Sequence, residues 1–215
     1  LRGGSEAVHS NTAIALLLRA ALEEHRLPED AVQLIDTTDR AAVDALLTAE
    51  EFVDVIIPRG GKGLIRKVAE ASRIPVLKHY EGICAAYVSA HADRDMAVSL
   101  VMNAKTQRPG VCNAIENLLI DAAIADTFAP PLFAALREAG VELRGDDRAR
   151  AIDPDIAPAT EEDWRTEYLD LILAVRIVDG VDDAIEFINA YGSHHSDLIV
   201  SDDAREAAHF LRGVD

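Results

Sequence analysis

Short apolar runs of strand length recur along this chain, and most are followed by a segment with helical spacing. "FVDVIIP", "AAYVS", "NAIENLLID", "LILAVRIVD" and "SDLIVS" are apolar over most of their length, so both faces of each must be covered. Strands of this kind, separated by helix-length connections, pair as a parallel sheet with crossover helices on either side. The pattern therefore predicts an α/β fold with a doubly wound parallel sheet. "AVQLID", "IPVLKH" and "VELRGD" are read as further strands.

Helices are expected over "NTAIALLLRAALEEH", over "DRAAVDALLTA" with Asp39 as N-cap, over "LIRKVAEAS", and over "DRDMAVSLVMNAK" with Asp93 as N-cap. "AAIADTFAPPLFAALREAG" is a fifth, ended by Gly140, and Pro130-Pro131 predicts a break inside it. "VDDAIEFINAYG" and "DDAREAAHFLRG" complete the set. The polar stretch 146–170, with Pro154 and Pro158, reads as an irregular surface excursion.

Acidic residues outnumber basic ones, 38 to 21, for a net charge of −17. That balance argues against nucleic acid and against an anionic membrane surface as partners, since both need basic surface. An anionic substrate would need a local basic pocket. The two cysteines, Cys84 and Cys112, match no zinc spacing, so no metal site is expected, and a reduced cytoplasmic setting is. No apolar run reaches the ~18 residues of a membrane span, and no signal peptide is read. "LRGGSEA" at the start and "FLRGVD" at the end read as cuts inside a larger protein.

Three stretches carry chemistry. In "IIPRGGKGLI" a strand runs through Arg59, Gly60, Gly61, Lys62 and Gly63 into a helix, an arrangement that suits a phosphate and equally an ordinary βα turn. "LRGGSEA" repeats the theme with Arg2 at a strand end. Cys112 follows Pro109-Gly110, with Lys105 and Arg108 nearby in sequence. Nearby positive charge favours a thiolate nucleophile, while burial as a small hydrophobe is the commoner fate of a free cysteine. Both remain open for Cys112. Cys84, in "GICAAYV", is read as core. His194 and His195 are adjacent and point in different directions on most backbones, so they do not suggest a shared metal.

Taken together, "LRGGSEA", "DVIIPRGGKGLI", "IPVLKHYEGIC", "NAKTQRPGVCNAIENLLI", "EYLDLILAVRIVDGVDDAIEFINAYGSHHSD" and "AREAAHFL" resemble, in order, the γ-glutamyl phosphate reductases, also called glutamate-5-semialdehyde dehydrogenases, of the aldehyde dehydrogenase superfamily. The resemblance implies an aldehyde dehydrogenase-like fold: part of an NADPH-binding domain over 1–108, then an α/β catalytic domain over 109–215. It implies NADPH as cofactor, γ-glutamyl phosphate as substrate, a place in proline biosynthesis, a homo-oligomeric parent protein and association with glutamate 5-kinase. Cys112 would be the nucleophile. Arg59, Gly60 and Gly61 would form the cofactor loop, Arg2 would lie near its ribose and phosphate, and Glu167 would hold the nicotinamide ribose. Arg108, Ser193 and His195 are candidates for the substrate's amino and carboxyl groups. The chain departs from the family's "GxCHxYVD" at Ala85 and Ser89, and lacks its N-terminal part, with the expected oxyanion donor, and its C-terminal part. A truncated or degenerate module that binds nucleotide or a partner without catalysis is the alternative.

Overall fold

A computed structural model describes residues 1–77 and 81–215, with Lys62 described by its backbone alone. The end of the predicted strand "IPVLKH" lies outside the described residues. The chain divides into two compact units, Leu1–His79 and Tyr80–Asp215.

The first unit holds α1 (Val8–Glu24), α2 (Ala41–Leu46) and α3 (Lys62–Ala71). The N-cap of α2 is Arg40, not Asp39 as expected; Asp39 lies one residue earlier, its carboxylate accepting the Ala41 N–H at 2.9 Å. The strands predicted here are reduced to two parallel bridges, Arg2 to Ile35 and Ile56 to Val76. A single bridge leaves an apolar run without the side-by-side neighbours that make a sheet stable. In this unit Phe52, Leu17 and Ile57 are exposed, while Leu47, Ile65, Val68 and Ile74 are buried.

The second unit is the predicted parallel sheet. Its strands are β1 (Cys84–Val88), β2 (Ile115–Asp121), β3 (Glu142–Gly145), β4 (Ala157–Pro158), β5 (Ile172–Val178) and β6 (Leu198–Val200). They lie in the order β4-β3-β5-β2-β1-β6, every pairing parallel. Crossovers run through α4 (Arg94–Thr106), α5 (Ala122–Glu138), α6 (Asp147–Ile152) and α7 (Val181–Tyr191), and α8 (Ala204–Gly213) follows the last strand. On one face Val88, Leu118, Ile120, Val175 and Ile177 pack against α4, α5 and α6. On the other, Tyr87, Leu119, Ala174 and Val178 pack with α7, α8 and Trp164. β1 and β2 are buried along their whole length, as the missing polar alternation in "AAYV" and "NLLI" requires. Each buried leucine or isoleucine here contributes about 1.5–3 kcal/mol relative to exposure.

The compact units part at residue 79. β1 and α4 belong to the sheet unit because β1 lies hydrogen-bonded between β2 and β6.

Two expectations are corrected. Helix α5 runs unbroken through Pro130 and Pro131. Both prolines face solvent, while Ala129, Leu132 and Phe133 on the inner face are fully buried. The carbonyls deprived of donors are those four residues earlier, of Asp126 and Thr127, which are also exposed and open to water. The stretch 146–170 is not merely surface chain: it contains α6 and β4, and buries Ile156, Asp163 and Trp164.

Asp163 organises that stretch. Its carboxylate accepts from Arg144 Nη1, Thr160 N, Thr160 Oγ1 and Tyr168 Oη, each at 2.7 Å. Burial alone would raise its pKa, but these donors outweigh burial and hold it well below the usual carboxylate range. A group with a depressed folded-state pKa gives stability that is present above its unfolded value and lost as pH falls below it. Asp163→Asn is therefore expected to cost about 1–3 kcal/mol at neutral pH, a deficit that shrinks below pH ~4. Urea unfolding of both proteins across pH checks it; parallel pH profiles would contradict the assignment.

Candidate active site

The parallel strands of the second unit all begin at one edge, and the sequence-predicted site residues of this unit gather there. Cys112 lies in the loop 107–114 between α4 and β2, and is exposed. Consecutive turns shape the loop: Val111 N donates to Arg108 O at 3.3 Å, and Ala114 N to Val111 O at 3.0 Å. Val111 is half-buried and Ala114 buried, so the two bracket an outward-facing Cys112.

The chain entering β1 presses against this loop. A β-carbon at Gly82 would stand 1.7 Å from the Cys112 carbonyl oxygen, so only glycine fits there. Around the start of β1, N–H groups of this segment go to side chains. Gly82 N donates to Glu167 Oε1 (2.8 Å), Ile83 N to Ser193 Oγ (2.8 Å) and Ala85 N to Asp197 Oδ1 (2.7 Å). The Cys84 thiol reaches the Cys112 carbonyl at 3.3 Å and lies 3.9 Å from His195 Nδ1.

The two thiols have different chemistry. Burial, then the Asp197 carboxylate, pushes Cys84 up to about 12, so it remains S–H and serves as a donor. Burial also raises Asp197, against the pull of its Ala85 N–H bond. Of the two sulfurs, only Cys112 is exposed.

Lys105 and Glu116 flank the loop and are fully buried, with Nζ 2.6 Å from Oε2. The other carboxylate oxygen accepts the Leu169 N–H at 3.3 Å. Burial lowers the Lys105 pKa and pushes Glu116 up to about 6, both against their mutual attraction. Lys105 was expected as positive charge beside Cys112; its ammonium is instead spent on Glu116.

A family model for the aldehyde dehydrogenase family matches residues 7–172. The chain belongs to the aldehyde dehydrogenase family. A γ-glutamyl phosphate reductase from Thermotoga maritima is 46% identical over 100% of this chain and 52% of its own, with a TM-score of 0.94. A second, from Saccharomyces cerevisiae, is 30% identical over 100% of this chain and 54% of its own, with a TM-score of 0.50. A glyceraldehyde-3-phosphate dehydrogenase from Methanocaldococcus jannaschii, complexed with NADP, shares the fold: TM-score 0.73, 14% identity, covering 99% of this chain and 55% of that one. The chain spans about half the length of these relatives.

Within this family member, Cys112, Glu167, Ser193 and His195 stand around one strand edge, and Arg108 is exposed on the Cys112 loop. Glu167 and Ser193 each accept a backbone N–H of the chain entering β1. Arg2, Arg59, Gly60 and Gly61 belong to the first unit. There Gly60 holds φ +151°, a conformation that favours glycine, and Gly61 and Gly63 face open space. The N-terminus of α3 at Gly61 has no side-chain cap. Arg2 Nη2 donates to Thr38 O at 3.0 Å, and its Nε is buried without a partner among the described residues. Among the described residues no cluster with metal-ligand composition occurs, and no helix is long and apolar enough to cross a membrane.

Ala85 and Ser89, the two departures, are buried in and just after β1. The Ser89 hydroxyl donates to Glu206, which also accepts Ser201 Oγ at 2.5 Å. A carboxylate at 89 would face that of Glu206, which accounts for serine. Sequence reasoning missed Gly82, Asp197 and Glu116. Glu116 left a signal, as a carboxylate inside the apolar run "NAIENLLI".

Gly82→Ala is expected to force the Cys112 peptide aside and destabilise by about 1–3 kcal/mol. Gly61→Ala, at φ −69° and with open space, should change stability by under ~1 kcal/mol. Paired urea titrations compare them, and equal midpoints would contradict the packing.

Proposed function

We propose that the protein carrying this chain reduces γ-glutamyl phosphate to glutamate 5-semialdehyde, releasing phosphate, with Cys112 as nucleophile and NADPH as electron donor. The observation that carries this is the exposed Cys112, on a turn braced by the Gly82 segment, in a chain 46% identical to a γ-glutamyl phosphate reductase.

The Cys112 thiolate attacks the acyl carbon, a C–S bond forms, and the C–O bond to phosphate breaks with its electron pair leaving on phosphate. A thioester remains on Cys112. The bound cofactor supplies a hydride. Once the carbonyl carbon has gained that pair, the C–S bond breaks, the aldehyde leaves and the thiolate is restored. A thiol suits both halves, since it attacks well and leaves well. Cys84 stays protonated and out of the covalent path.

The first-unit turn supports the cofactor assignment. The uncapped N–H groups at the start of α3, the open space at Gly61 and Gly63, and the exposed Arg59 have the chemistry of a phosphate cradle. Arg2, with its unpartnered Nε, is a second donor. Glu167 would hold ribose through the oxygen not given to Gly82. Arg108, Ser193 and His195 are proposed for the substrate's charged ends, with the Ser193 hydroxyl proton still available. The proposal extends to a homo-oligomeric protein of the cytoplasm that works beside glutamate 5-kinase in proline biosynthesis.

The reverse reaction tests this. Glutamate semialdehyde, phosphate and NADP⁺ are expected to yield NADPH absorbance with the wild-type protein and none with Cys112→Ala. No signal from the wild type, or equal rates from both, would sink the assignment. Arg59→Ala is expected to raise KM for NADP⁺ with a smaller effect on kcat.

A further inference from the structure

The second residue of β2 is out of register. Cys84 of β1 faces Ile115, but Ala85 faces Asn117, so Glu116 is the extra residue of a β-bulge. The pairing of β2 with β5 also begins only at Asn117, opposite Ala174. Glu116 therefore sits where the Cys112 loop enters the sheet, outside the residue pairing on either side. Bulges re-aim a side chain and are frequent beside active sites.

The side chain so aimed joins three segments. Oε2 accepts Lys105 Nζ, from the last turn of α4, at the other end of the loop. Oε1 accepts Leu169 N. Leu169 is a non-glycine residue at φ +56°, a strained conformation that its surroundings must hold. Leu169 belongs to the segment that presents Glu167, and Glu167 holds Gly82 against the Cys112 carbonyl. The contacts thus close a ring: Lys105, Glu116, Leu169, Glu167, Gly82 and Cys112.

We infer that Glu116 is a positioning residue for Cys112, fixing the sheet end of its loop and, through Leu169, the backbone against which it rests, with Lys105 as the partner that neutralises its charge. Glu116 acts through reach and acceptor geometry. Its charge is secondary, since a buried ion pair exchanged for neutral side chains of similar size commonly leaves stability unchanged. The kcat arm below rests on the reductase reading; the exchange arm does not.

The test compares variants of equal charge in the whole protein. Lys105→Met/Glu116→Gln keeps an acceptor at the same reach. Lys105→Met/Glu116→Leu removes it, and Lys105→Met/Glu116→Asn leaves it one methylene short. Melting temperature reads the fold, amide hydrogen exchange reads residues 107–114 and Leu169, and steady-state kinetics read the site. The Gln variant is expected to match wild type in all three. A folded Leu or Asn variant should keep its melting temperature within several degrees, lose protection at Val111, Ala114 and Leu169, and lose roughly 10- to 100-fold in kcat with KM little changed. Native protection and native kcat in either of them would overturn the inference. So would unfolding of both beside a native Gln variant, because the tether would then serve the fold rather than Cys112. A wild type with no reductase activity, but with this pattern of exchange, would discard the function and leave the positioning intact.

Discussion

A parallel strand must find a partner for each backbone N–H from its first residue, and where β1 begins the neighbouring strand does not supply one. Gly82, Ile83 and Ala85 turn instead to Glu167, Ser193 and Asp197. Leaving such groups unpaired in a half-buried position would cost on the order of 1–3 kcal/mol each. The side chains that meet this need come from the segments leading into β5 and β6. The edge where the strands start is therefore cross-linked by polar groups, and that lattice carries Cys112. Polar side chains gathered at a strand edge are in this instance a structural necessity as well as a chemical resource.

The same constraint explains the separation of the two cysteines. Both lie at the beginning of a strand region, yet their environments are opposite. Cys84 is 1% exposed and faces a carboxylate, so ionisation is opposed twice. Cys112 sits exposed on a turn between half-buried Val111 and buried Ala114. Thiol chemistry is assigned by the backbone's path, with no difference in residue type required.

Much of the second unit was legible in the sequence because its strands are long enough and apolar enough to exclude other states. "NLLI" and "LAV" leave no solvent face, and Asp93 and Asp203 accept the helix-start N–H groups that their positions imply. Legibility failed where tertiary context overrules local chemistry. Pro130-Pro131 should break a helix, but their exposure lets water take the freed carbonyls. "AVQLID" should be a strand, but a strand needs lateral neighbours that its own sequence cannot specify. At the site, Cys112 was visible through its turn and motif. Gly82 was not, since the need for glycine comes from a carbonyl 30 residues away in the chain. Lys105 was visible only as a charge, because its partner lies across a loop.

The pairing of β1 with β6 has a consequence for how the molecule is made. The Ser193 and Asp197 bonds to β1 span 110 and 112 residues of chain. Contacts of such separation pay their loop-closure entropy first and form late. During synthesis β1, α4, the Cys112 loop and β2 leave the ribosome well before the residues that lock the start of β1. For that interval the nascent chain presents a thiol-bearing turn beside an unpaired strand edge, the kind of surface that chaperones cover. The order of strands across the sheet thus makes the neighbourhood of Cys112 among the last parts of this unit to mature.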